Sequence, residues 1–96
     1  MSSSTGVFAI SVAAEMVSME IQNLRVYERR GLIEPARTQG GTRLYSADDL
    51  DRLVRIRELL AEGLNLVGIG HVLALEREVG RLRAANQRLR KERQRK

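Results

Sequence analysis

Cysteine is absent from this 96-residue chain, which excludes disulfides, thiolate metal sites and thiol redox switches. Histidine occurs once, as His71, so a histidine-based metal cluster is excluded as well. Phe8, Tyr27 and Tyr45 are the only aromatic residues, and Pro35 is the only proline. No apolar run approaches the roughly 20 residues needed to cross a bilayer, so no membrane partner is expected. The opening MSSSTG has neither the basic start nor the apolar stretch of a signal peptide. A soluble cytoplasmic protein is the resulting expectation. Catalysis is not expected either. There is no cysteine nucleophile and no histidine–carboxylate dyad, and Gly40-Gly41 lacks the strand-to-helix context of a phosphate loop.

Charge is plentiful but unevenly spread. The net charge is +5. Residues 1–75 carry eight arginines against nine acids, whereas residues 76–96 carry nine basic side chains against three acidic ones. Within the first part the sign alternates locally. Residues 25–43 hold five arginines against Glu28 and Glu34, and Asp48, Asp49 and Asp51 follow. A hydrophobic content of 43% suffices for one small core.

Periodicity organises the rest. Residues 1–6 read as disordered, being serine-rich without apolar spacing. Ser11 is a plausible cap for a short helix with Val12, Ala13, Met16 and Val17 as its apolar stripe. Ser18-Met19 breaks the pattern. A second helix carries Ile21, Leu24, Val26 and Tyr27, with Gln22, Asn23, Arg25, Arg29 and Arg30 mostly on other faces. Gly31 stands where a helix-ending glycine belongs, and Pro35 forbids continuation soon after. Two short helices across a tight turn, the second bearing polar and cationic residues, form the helix-turn-helix pattern.

Around Gln39-Gly40-Gly41 the period changes to that of a short β-hairpin. Such a hairpin has the size of a wing beside a helix that fits the DNA major groove. Ser46, with Asp49 three residues on, reads as a capping box for a third helix buried through Leu50, Leu53, Val54, Ile56, Leu59 and Leu60. Asn65 caps a fourth helix bearing Leu66, Ile69, Val72 and Leu73, with Gly68 and Gly70 open to a close-packing role. From Leu75 the spacing turns heptad-like through Val79, Leu82, Asn86 and Leu89, either a pairing seam or the solvated end of a helix. The expected organisation is a DNA-binding domain over 7–74, a short coiled-coil dimerisation helix over 75–90, and a disordered basic tail over 91–96. That tail has three readings: it follows phosphates, meets an acidic protein, or keeps a small dimer soluble.

The stretch LRVYERRGLIEP at Leu24–Pro35, the wing ending TRLYS at Thr42–Ser46 and the acid-led helix after it resemble the MerR family of bacterial transcription regulators. ISVAAE at Ile10–Glu15, PARTQGGTRLYS at Pro35–Ser46 and EGLNLVGIGHVLALE at Glu62–Glu76 are similar to its heat-shock repressor branch, often called HspR. The resemblance implies a mainly α fold: a winged helix-turn-helix of MerR type with a short β-hairpin wing and a C-terminal dimerisation helix. It implies a homodimer on an inverted-repeat DNA operator, the long helices pairing antiparallel, in the bacterial nucleoid. In the heat-shock branch it further implies repression of chaperone genes with the chaperone DnaK as co-repressor.

The candidate DNA contacts are Gln22, Asn23, Arg25, Tyr27, Arg29 and Arg30 in the second helix and Arg37, Thr42, Arg43 and Tyr45 in the wing. Arg29 and Arg30 could instead pair with nearby glutamates, and Tyr45 could seal the wing against the core. The candidate dimer contacts are Leu75, Val79, Leu82, Asn86 and Leu89. Three positions depart from the family pattern. Ser18 replaces the usual inter-helix glycine, Glu20 puts an acid near a phosphate position, and Gly70-His71 replaces a basic pair common in the branch. Larger MerR proteins continue into a ligand-binding domain or a cysteine metal loop. Neither lies within these residues, so small-molecule or metal sensing is not expected of them. Two other readings remain open: a MerR-type regulator of another stress or developmental response, and a protein-interaction module whose DNA surface is vestigial.

Overall fold

The computed structural model describes residues 2–95. The elements in chain order are α1 (Ile10–Met16), α2 (Ile21–Arg29), β1 (Ala36–Arg37), β2 (Arg43–Leu44), α3 (Ala47–Ala61) and α4 (Leu66–Arg95). Met1 and Lys96, at the ends of the segments read as disordered, lie outside the described residues.

The α1–α2 turn works without the usual glycine because Ser18 takes the left-handed conformation itself, at φ 55°. It is the only non-glycine with positive φ among the described residues. Its N–H donates to the Glu15 carbonyl (3.2 Å) and the next N–H, of Met19, to the Ala14 carbonyl (2.9 Å), closing the end of α1. An L-residue in that conformation costs about 1–2 kcal/mol, part of which glycine would return through its freer unfolded chain. Ser18→Gly should therefore raise stability by about 0.5–1 kcal/mol in urea unfolding; a loss of stability would show that the serine side chain supports the turn.

α1 starts earlier than expected. Ala9, not Ser11, occupies its N-cap and offers no side-chain cap. With the helix beginning at Ile10, the buried residues are Ala13, Ala14 and Val17, while Val12 and Met16 are exposed. The other helices bury residues of the expected stripes: Leu24 and Tyr27 in α2, Leu53, Ile56 and Leu59 in α3, Ile69 and Leu73 in α4. Leu32 and Ile33, in the loop after α2, complete this core with Tyr45.

The wing is a minimal antiparallel pair with Ala36 opposite Leu44 and Arg37 opposite Arg43. Gly41, at φ 86°, makes its turn. The N-terminal segment is not a free tail. Phe8 and Tyr45 exchange backbone hydrogen bonds (2.9 and 2.7 Å), adding a third strand-like partner to the wing. Gly6 packs so tightly on β2 that a Cβ there would lie 2.7 Å from the Leu44 carbonyl oxygen. The Ser3 carbonyl accepts from the Asp48 N–H (3.0 Å) at the start of α3. These are backbone interactions, so serine-rich composition gave no sign of them.

The caps expected for α3 and α4 form. Ser46 Oγ accepts from the Asp49 N–H (3.0 Å) while Asp49 Oδ2 accepts from the Ser46 N–H (2.9 Å), and Asn65 Oδ1 accepts from the Gly68 N–H (2.8 Å). A Cβ at Gly70 would meet Leu32 Cδ2 at 3.4 Å, an ordinary contact, so packing does not demand that glycine. The tail expected to be disordered is helical as far as it is described, and the helix crosses both 74/75 and 90/91. α4 is one unbroken helix of 30 residues that continues through 91–95. Proline is absent from it, and its Leu, Ala, Arg, Glu and Gln residues are strong helix formers. Such a helix is about 45 Å long, and its buried residues, Ile69 and Leu73, lie near its start.

Candidate nucleic-acid interface

α2 has two faces because its apolar residues recur at helical spacing. Leu24 and Tyr27 point into the core, and Gln22, Asn23, Arg25, Arg29 and Arg30 are exposed. Among the described residues Arg25, Arg29 and Arg30 form no ion pair, so the glutamate-paired alternative for the last two is not realised. Nor do Gln22 and Asn23 cap the helix: its N-cap is Glu20, which contributes no side-chain cap. The result is a row of uncommitted amide and guanidinium donors on a helix of major-groove size. Glu20 is exposed at its head, where the helix dipole favours a carboxylate but a phosphate does not.

The glutamate that does pair is Glu28, on the side of α2 facing the wing. Its Oε2 lies 2.7 Å from Arg37 Nη2, and its Oε1 accepts from Arg43 Nε at 2.5 Å. Arg37 and Arg43 are cross-strand partners, so one carboxylate clasps both strands of the wing. Arg37 Nη1 also donates to the Gly41 carbonyl (2.9 Å), bracing the turn. Because the clasp uses only Nε of Arg43, both its Nη groups are left to donate elsewhere. Burial raises the Glu28 pKa, but hydrogen bonds from Arg43 and Arg37 and their charges outweigh that, leaving it below the usual glutamate range. A lowered carboxyl pKa means stabilisation that is complete above the ordinary glutamate range and lost only as pH falls through the lowered value. The clasp is closed at neutral pH. Sequence reasoning missed Glu28; the available signal was a single acid in a helix otherwise bearing arginines.

Tyr45 corrects the expected contact set. It is fully buried, and its hydroxyl is enclosed without a hydrogen-bond partner. A side chain in that position seals the wing against the core, the alternative left open by the sequence. Burial pushes its phenol pKa up, and that of Tyr27 as well. An enclosed unsatisfied hydroxyl costs about 1–3 kcal/mol. Tyr45→Phe is expected to leave DNA affinity unchanged and to hold or raise the melting temperature. Weaker binding by a normally stable Phe variant would restore Tyr45 as a contact. Tyr27 is buried through its ring, which leaves at most its hydroxyl edge for a phosphate. Thr42 is exposed at the wing, and Ser46 is committed to its cap.

Three arginines of α3 hold this surface in place, a role the sequence did not reveal. Arg52 Nε donates to the Leu32 carbonyl at 2.5 Å, fixing the exit of α2. Arg57 donates to the Val17 carbonyl at the exit of α1. Arg55 grips Glu76 of α4 through both Nε and Nη2, the latter at 2.8 Å. A short stretch of one helix thus ties down the other three.

Along α4, Leu75, Val79, Leu82 and Leu89 are all exposed, between 44% and 65%, and Asn86 is exposed beside them. Helical spacing puts all five on one side of the helix. Among the described residues no group of His, Cys, Asp or Glu could hold a metal ion, and no helix is long and apolar enough to cross a membrane.

Comparison with known proteins agrees with this geometry. The profile of the MerR HTH family regulatory proteins matches residues 8–76. HspR of Streptomyces coelicolor, a protein named for heat shock, is 44% identical over 81 residues, covering 83% of this chain and 54% of that protein. The regulator GlnR of Bacillus cereus is 37% identical over 73 residues, 76% of this chain and 57% of its own length. The chain thus spans about half the length of the curated relatives it matches. Among solved structures, the N-terminal part of the Bacillus subtilis multidrug transporter activator superposes with a TM-score of 0.66 at 30% identity, covering 92% of each chain. A winged helix-turn-helix with an exposed cationic helix, matched by the family profile over most of its length, identifies the chain as a member of the MerR family of DNA-binding transcriptional regulators.

Proposed function

We propose that this protein is a repressor of heat-shock and chaperone genes that binds an inverted-repeat operator as a homodimer. The observation that carries the reading is the 44% identity to the heat-shock protein HspR over 83% of the chain. In this reading α2 enters the major groove, with Gln22, Asn23 and Arg25 at base edges and Arg29 and Arg30 at phosphates. Arg43, Arg37 and Thr42 grip the flanking backbone. The Leu75–Leu89 seam joins two copies, which suits an operator with two-fold symmetry. DnaK is the proposed co-repressor, on the strength of the branch resemblance alone.

A second reading is a MerR-type regulator of another response without chaperone coupling. The 37% match to GlnR and the Gly70-His71 departure favour it. Selection of bound sequences from a random duplex library at moderate salt separates the two. An inverted repeat with matches upstream of chaperone genes supports the first, and a repeat matching other promoters supports the second. Retention of the DNA-bound protein by purified DnaK tests the co-repressor directly.

A further inference from the structure

α4 carries its charge in an ordered way. On the side of the helix away from the Leu75–Leu89 seam lie Arg77, Arg81, Arg88, Lys91 and Arg95, all exposed. Gly80 and Ala84 lie between them on that side. Three acids stand beside the track. Glu76 is held by Arg55, Glu78 pairs with Arg81, and Glu92 borders the shallow groove beside Arg88, Lys91 and Arg95. Gly80, in the middle, has open space where a Cβ would be, so no intramolecular packing requires it there. The helix is unbroken across the whole track, which spans about 27 Å at 1.5 Å per residue.

This track begins beside the recognition helix. Arg77 and Arg52 line one groove with Gly31–Glu34, the segment that leaves α2 directly after Arg29 and Arg30. Glu34 and Asp49 also line it, and Asp49 is occupied by the Ser46 N–H. Residues 1–75, which contain α2 and the wing, have more acids than bases. Most non-specific affinity for a duplex comes from cations that displace its counterions, and here the excess of cations sits on α4. We propose that this side of α4 is a second, sequence-independent contact for the phosphate backbone of duplex DNA. It faces away from the apolar seam, so backbone contact and helix pairing are compatible.

The test uses the full chain with Arg88→Gln, Lys91→Gln and Arg95→Gln combined. Glutamine keeps the helix, and these side chains are exposed. Binding to a random-sequence duplex is measured across a salt series. Every phosphate that is no longer neutralised lowers the slope of log K against log salt by about 0.9, so the slope should fall by about 2–3 per bound subunit. A second variant, Arg83→Gln with Arg90→Gln, removes charge from the flank of the helix and should change the slope by less than about 1. An unchanged slope in the triple variant overturns the proposal. So does an equal decrease per charge in the flank variant, which would mean that net charge alone acts. Sedimentation of both variants checks that pairing is intact. A wild-type chain that binds no duplex at low salt would instead count against DNA binding by these residues altogether, a separately recognisable failure.

Discussion

Glu28→Gln is expected to lower the preference for operator over random duplex about tenfold, the scale of one well-oriented charge-assisted hydrogen bond, while binding to random duplex is retained or strengthened. Two effects oppose each other in this variant. Removing the carboxylate leaves Arg37 and Arg43 unneutralised, which adds attraction for any phosphate. Glutamine keeps only one acceptor oxygen, so it also frees one of the two guanidinium groups from the 2.7 and 2.5 Å contacts that set their direction and leaves the other with a weaker, uncharged partner. The first effect ignores sequence and is screened by salt. The second affects operator binding, in which, on the proposed reading, wing and α2 engage one duplex in fixed register. Competition binding with operator and random duplexes at two salt concentrations resolves the two. An unchanged preference would mean that the clasp is merely structural. Thermal unfolding of the free variant completes the comparison, because a simple loss of folding weakens both kinds of binding together.

Leu82→Glu should produce a monomer whose affinity for an inverted repeat drops about 100-fold or more, with half-site affinity unchanged. Leu82 is 51% exposed, so the substitution leaves the core of its own chain intact. In a paired seam it would bury a carboxylate in each copy without a partner. The large effect on the full operator follows from linkage: once one half-site is bound, the second subunit is held at high effective concentration, a gain of about 10²–10⁴. Sedimentation at several concentrations and titration with whole and half operators read both quantities. A variant that stays dimeric would place the interface elsewhere on the molecule. In the proposed seam Asn86, a polar residue in the same stripe, would set register at a cost in stability.

The sequence alone determined whatever depends on neighbours in the chain. Apolar spacing located α2, α3 and α4. Gly31 and Pro35 ended α2, and Ser46 with Asp49 marked the start of α3 because a capping box is made within four residues. The motif at Leu24–Pro35 carried the family for the same reason, since its residues lie on one helix and its exit. What tertiary structure decided are interactions between distant segments. Glu28 reaches Arg37 and Arg43 across the wing, Tyr45 turns inward beneath it, and Phe8 pairs with the Tyr45 backbone far along the chain. No periodicity signals these, because each depends on how one element is set against another. The persistence of α4 through Arg95 falls between the two. Its residues favour a helix throughout, and the unbroken helix places five of its basic residues, Arg77, Arg81, Arg88, Lys91 and Arg95, on one side.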